Sequence, residues 1–177
     1  RRQRQMCIRD SINAIQDEKN LTFLYRAPKL EMKSLNIGAV AQKYADTFDI
    51  DSDGAVEMAK LTKGYPFAFQ VLGYLTWNNN GDYKGVLAEY RQYLEEYVYE
   101  KIWSELSSKD KEIAFAIAQC DTGKIKDIRE LLHIDTNQFN PYRKRLIKKG
   151  IVDGSEYGFV RFTLPFFEQF VIENYYD

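Results

Sequence analysis

Three stretches of this sequence carry residues whose types and spacing could do chemistry. Asp49, Asp51 and Asp53 alternate ahead of Gly54, the carboxylate spacing and sixth-position glycine of a calcium loop. The twelfth position must supply a bidentate carboxylate, and here it is Lys60. A cation there defeats the ligand set. The stretch is expected to be a polar turn capping the next helix, and no metal site is expected. The second stretch is basic. From Lys124 to Arg161 nine cations face five carboxylates, and Arg143 to Lys149 alone holds five of the nine. Such side chains reach phosphates, and Asn137, Gln138 and Asn140 lie where base edges would be read. Asn140, Arg143, Lys144, Lys148 and Arg161 are the candidate nucleic-acid contacts; a solvated helix face is the other reading. The third is Gly64-Tyr65-Pro66. Glycine suits the left-handed position past one helix, and proline suits the first position of the next.

Other chemistries find no residues. His133 is the single histidine. It has no Ser or Cys in an activating context and no metal spacing to Cys120, so a structural role is expected and no catalytic residue is nominated. No glycine-rich loop ending in Lys-Ser or Lys-Thr occurs, so this chain lacks that cradle for nucleotide phosphates. Cys7 and Cys120 are far apart, which is no disulfide framework and fits a reducing cytoplasm.

The elements that must position these residues follow from periodicity. A helix over 5–18 and a buried strand over 21–25 open the chain, and 1–35 reads as the edge of a sheet completed elsewhere. Helical spacing then begins: Ile37 to Phe48, about 53–63, Pro66 to about Trp77, and one long amphipathic helix over about 83–106. The long helix carries Val86, Leu87, Tyr90, Leu94, Tyr97, Val98, Ile102 and Leu106 inward and a glutamate-rich face outward. Helical spacing restarts at Ser107-Ser108-Lys109-Asp110, with a cap-like serine, and opens a second module. Helices over about 110–119 and 125–132 are followed by a third from Asn140 as cap and Pro141 as first residue. A hairpin pairs Ile151-Val152 with 159–163, and a last helix runs from about 165 to 176. Three helices and a hairpin in this order predict a winged helix-turn-helix.

Length and composition fit this outline. The 177 residues suffice for one domain or two small ones, and hydrophobic residues at 45% with charged residues at 29% suit a globular chain. Thirteen Tyr and eleven Phe favour tight packing between modules or with a partner. A net charge of -1 argues against a surface coated in nucleic acid. No apolar run reaches membrane length, and the charged start has no apolar core after it to make a signal peptide. Position 1 is not Met, so a fragment is expected.

Gly64-Tyr-Pro66-Phe-Ala-Phe resembles the Gly-x-Pro-apolar-Ala motif of STAND-class P-loop ATPases, the group that includes the NB-ARC proteins and the archaeal-type ATPases. The order of elements is similar over nearly the whole chain. Leu21 to Leu35 resembles the last core strand and the segment leading into the lid. Ile102-Trp-Ser-Glu-Leu106 and Tyr142 to Gly150 resemble stretches of bacterial and archaeal members. The resemblance implies a mainly α fold, a helical lid followed by a winged helix-turn-helix with a small β-hairpin wing. It implies domains at 1–35 (remnant of the nucleotide-binding core), 36–106 (lid) and 107–177 (winged helix). By it, Gly64, Tyr65 and Pro66 would border ATP or ADP, with Pro66 on the adenine.

The implied function is a nucleotide-dependent switch in an AAA+-like parent ATPase, with this chain not an enzyme by itself and binding no cofactor alone. The implied partner is an upstream P-loop core; DNA at the winged helix and assembly into an oligomer stay open, and no membrane is involved. The chain departs from the pattern in two ways. It contains no Walker A or B segment, and Thr163-Leu-Pro165 stands where NB-ARC members place Met-His-Asp. Leu132-His-Ile-Asp135 comes too early to replace it, and Arg26 has no assignable role. The alternatives from the residues alone are a winged-helix DNA-binding regulator and a protein-interaction module. The DNA-binding one predicts salt-dependent binding.

Overall fold

Helix caps set the first boundaries of the structure. The computed structural model describes residues 34–176; the helix at 5–18, the strand at 21–25, Cys7, Arg26 and most of the 1–35 segment lie outside them. Asn36 accepts the Ala39 N–H at 3.0 Å and starts α1, Ile37–Thr47. Asp51 accepts the Gly54 N–H at 2.7 Å and starts α2, Ser52–Lys60. The aspartate of the calcium-like run is therefore a helix cap, which relieves one of the unpaired donors every helix start carries. α1 and α2 pack on each other, and α3, Pro66–Asn78, meets α1 where the Tyr44 and Phe69 rings lie 5.2 Å apart. The Tyr44 hydroxyl donates to the Phe69 carbonyl at 2.8 Å, and Tyr44, Met58, Leu72 and Tyr90 are buried together in the core.

The long helix is not uniform. A 3-10 turn at Lys84–Val86 leads into α4, Leu87–Leu94, then a π-helical turn, Glu95–Tyr99, then α5, Glu100–Ser104. The Glu100 N–H bonds five residues back, to Glu95, so the turn holds one extra residue. The inward face changes phase there. Tyr97, expected in the spine, is 42% exposed, whereas Tyr99 is fully buried. Tyr99 lies against the rings of Phe167 and Phe170 at 5.0 and 5.5 Å. Its hydroxyl donates to the Pro165 carbonyl.

The second half is helical with a small hairpin. Ser107 caps α6, Ser108–Gln119. α7, Ile125–Leu132, ends on His133, which holds a left-handed φ of 52°. α8 runs Thr136–Lys148. It starts five residues before the expected Pro141, because Asp135 and Gln138 form a reciprocal capping box, which satisfies two donors at once. Pro141 and Asn140 therefore lie within the helix. β1, Val152–Asp153, pairs antiparallel with β2, Arg161–Phe162, in the register Val152 to Phe162 and Asp153 to Arg161. A bridge between Lys124 and Phe159 adds a third short edge. α9, Phe167–Asn174, closes back on α6 and the π-turn. The described residues, 34–176, are thus mainly helical with a two-stranded antiparallel hairpin and belong to one compact unit. Among the described residues no helix is long and apolar enough to cross a membrane.

Candidate functional site

The corner between α2 and α3 is built from its hydrogen bonds outward. The buried Thr62 hydroxyl donates to the Ala59 carbonyl at 2.7 Å and accepts the Gly64 N–H at 3.1 Å. Tyr65 N–H returns to the Thr62 carbonyl at 2.8 Å. This tight turn places two successive residues in left-handed conformation, Lys63 at φ 47° and Gly64 at φ 71°. Gly64 has a second reason to be glycine. Its carbonyl accepts the Leu35 N–H at 2.8 Å, and a Cβ at Gly64 would lie 2.5 Å from the Leu35 carbonyl oxygen. The segment leading into α1 is thus laid directly over the corner.

Pro66 occupies the first position of α3 after an extended Tyr65. Tyr65, Pro66 and Phe67 are all half-buried, and the Tyr65 and Phe67 rings meet edge-on at 6.4 Å. The three nominated corner residues therefore sit together, with partly accessible rings beside them. Below the corner, the Tyr90 hydroxyl donates to the Leu61 carbonyl at 3.1 Å, which fixes the end of α2 to α4. Burial raises the Tyr44 and Tyr90 hydroxyl pKa values well above the usual range.

Lys63 was not nominated from sequence. The residue is exposed, yet its ammonium donates to the Phe162 carbonyl at 3.2 Å. That contact joins the corner to the end of β2. Desolvation there lowers the Lys63 pKa, with Glu168 acting against the shift. A cleft of about 330 Å³ opens at this junction, lined among others by Lys63, Cys120, Thr122, Arg161 and Glu168. The only sequence signal was that Lys63 immediately precedes a helix-ending glycine. Cys120 is buried, with its sulfur 3.2 Å from the Thr122 hydroxyl.

The basic residues divide into two groups. The Arg143 guanidinium donates to the Gly154 carbonyl at 2.9 Å, and Gly154 leaves it room, since a Cβ there would lie 2.5 Å from the same nitrogen. Arg145 donates to the buried Asp110 carboxylate from two nitrogens, each at 2.8 Å, and lies over the Tyr142 ring at 4.9 Å. Both arginines hold the second half together. Arg161 faces Glu156 at 3.6 Å, and Asn140 is half-buried inside α8. Lys144 and Lys148 are exposed and make no ion pair among the described residues. Of the five nominated nucleic-acid contacts, these two alone present an uncommitted charge. Among the described residues no group of three or more His, Cys, Asp or Glu is placed to hold a metal.

A sequence profile for a domain of unknown function (DUF8462) matches residues 96–171. That span begins inside the π-turn and ends in α9, the two places that Tyr99 ties together. No curated protein and no solved structure matches the chain.

Proposed function

We propose that this chain is the helical lid and winged-helix portion of a STAND-class, AAA+-like ATPase, acting as a nucleotide-dependent switch in the cytoplasm. α6, α7, α8 and the hairpin are then the winged helix-turn-helix, with the Lys124 to Phe159 bridge as its short first strand. The observation that carries the reading is the Lys63 contact. A Gly-x-Pro corner with half-accessible rings is hydrogen-bonded, through the residue before its glycine, to the end of the hairpin. A ligand seated on the corner would therefore bear on both halves of the molecule. In this reading Pro66 meets the adenine of ATP or ADP, Gly64 sets the corner, and the phosphates belong to an upstream P-loop core.

The test uses the natural protein with that core. Pro66→Ala keeps helix geometry at a first position, so the fold survives. We expect the ATP dissociation constant to rise about tenfold, or ~1.4 kcal/mol, measured by titration of a fluorescent ATP analogue. Unchanged affinity, or a natural reading frame without a Walker A segment, would refute the proposal.

A further inference from the structure

Four elements each lend one charge to the cleft of about 330 Å³ beside the corner. Lys63 comes from the turn between α2 and α3, and Glu168 from the first turn of α9. Arg161 comes from β2, and Asp121 from the turn after α6. All four are exposed, and most of their bonding capacity is unspent. An ammonium has three donors, and the Phe162 carbonyl takes one from Lys63. Arg161 meets Glu156 only at 3.6 Å. Asp121 and Glu168 make no hydrogen bond or ion pair among the described residues.

The rest of the lining is apolar or already committed. Ile117, Val160 and Phe162 line the cleft and are buried. The Thr122 hydroxyl donates to the Asp127 carboxylate at 2.6 Å and accepts the Lys124 N–H at 3.1 Å. Gly123 must be bare, since a Cβ there would lie 2.9 Å from the Val160 carbonyl oxygen and 3.7 Å from the Arg161 Cγ. The stem of Arg161 thus lies against backbone at the edge of the cleft.

This lining selects its ligand by charge. An anion would meet Lys63 and Arg161 but face Asp121 and Glu168, and an amine would meet the reverse. A wholly apolar molecule would take water from four charges and return no hydrogen bond, which costs free energy. A zwitterion with an apolar tail matches every part. Its two ends form charge-assisted hydrogen bonds, and its tail covers the buried apolar side chains. The volume lies at the small end of the range for ligand pockets, ~300–1,000 Å³.

We propose that this cleft binds a free aliphatic α-amino acid. Lys63 and Arg161 hold its carboxylate, Asp121 and Glu168 its ammonium, and Ile117, Val160 and Phe162 its side chain. The ligand then rests against both partners of the bond that joins the corner to the hairpin. The inference does not depend on nucleotide binding at the corner.

The experiment titrates the 177-residue chain with L-leucine by calorimetry and by ligand-observed NMR. We expect one saturable site with a dissociation constant below about 1 mM. N-acetyl-L-leucine lacks the ammonium, L-leucinamide lacks the carboxylate, and glycine lacks the tail. Each is expected to bind about tenfold more weakly or worse. Arg161→Gln and Glu168→Gln each remove one charge at an exposed position, and circular dichroism checks that both variants fold. Each is expected to weaken L-leucine by about tenfold, whereas Lys144→Gln on the outer side of α8 leaves it unchanged. Absence of saturable binding in both measurements up to about 10 mM overturns the proposal. So does binding of N-acetyl-L-leucine or L-leucinamide as tight as that of L-leucine, and so does unchanged affinity in either the Arg161 or the Glu168 variant.

Discussion

Replacing Gly64 by alanine separates backbone conformation from close approach, because the molecule supplies its own control. Gly64 and Gly150 have nearly the same φ, 71° and 72°. A Cβ at Gly150 would meet nothing within 4 Å, whereas a Cβ at Gly64 would lie 2.5 Å from the Leu35 carbonyl oxygen and 3.2 Å from its nitrogen. Both substitutions place an L side chain in the left-handed region at about 1–2 kcal/mol. Both recover roughly 0.4–1 kcal/mol because alanine restricts the unfolded chain. Gly150→Ala should therefore destabilise by about 1 kcal/mol. Gly64→Ala must also push Leu35 away and break the bond between its N–H and the Gly64 carbonyl. Leaving partly buried partners unsatisfied adds about 1–3 kcal/mol, for a total of about 2–4. Urea unfolding followed by the fluorescence of Trp77 and Trp103 reads both variants. At equal slopes, the midpoint of Gly64→Ala should be clearly the lower of the two. Two variants within about 0.5 kcal/mol of each other would show that the Leu35 crossing is not a constraint.

The buried carboxylate and the hydroxyls give two more tests. Asp110 is almost wholly buried, and Arg145 is its cationic partner. Arg145→Met is expected to destabilise by about 1–3 kcal/mol, less than a fully buried pair because the guanidinium is partly exposed. In a double-mutant cycle with Asp110→Ala, a coupling energy near zero would refute the pairing. Burial raises the pKa values of Tyr44, Tyr90 and Tyr99 above their ordinary 10.0, and burial with a hydrogen bond to Glu57 raises Tyr83 to about 12. The folded state then holds protons that the unfolded state releases. Stability is full below pH 10 and falls as pH climbs past it. Urea midpoints measured from pH 8 to 11 should stay flat and then drop, and Tyr83→Phe should reduce the slope above 10. A flat profile throughout would contradict the raised values.

Much of the architecture was legible because short-range rules decide it. The helices from Ile37 to Asn78 follow from apolar spacing and from Asn36, Asp51 and Pro66 as start signals. The hairpin follows from two β-rich runs around Asp153-Gly154. The misses have physical causes. Pro141 looked like a helix start, but Asp135 and Gln138 cap reciprocally, and the five helical residues ahead of it outweighed one missing N–H. The π-turn was invisible because a fixed helical period carries Tyr97 inward, and only the packing of Tyr99 against Phe167 and Pro165 rewards the change of phase. At the corner, spacing located Gly64 and Pro66, yet the crossing of Leu35 and the reach of Lys63 to Phe162 are separated in sequence and carry no local signal. Arg143 and Arg145 read as surface charge for the same reason, since Gly154 and Asp110 lie far along the chain.

The extra residue in the turn at Glu95–Tyr99 also fixes how the two ends of the long helix are phased. An α-helix advances about 100° per residue, so one inserted residue rotates everything after it by that angle relative to an unbroken helix. The orientation of α5, and of the chain that follows it, is therefore encoded in a residue count between Leu94 and Glu100 more than in any single side chain. Substitution within that interval alters packing at one place. Removal of one residue would restore ordinary helical hydrogen bonding while turning Trp103 and the buried Leu106 away from their present neighbours.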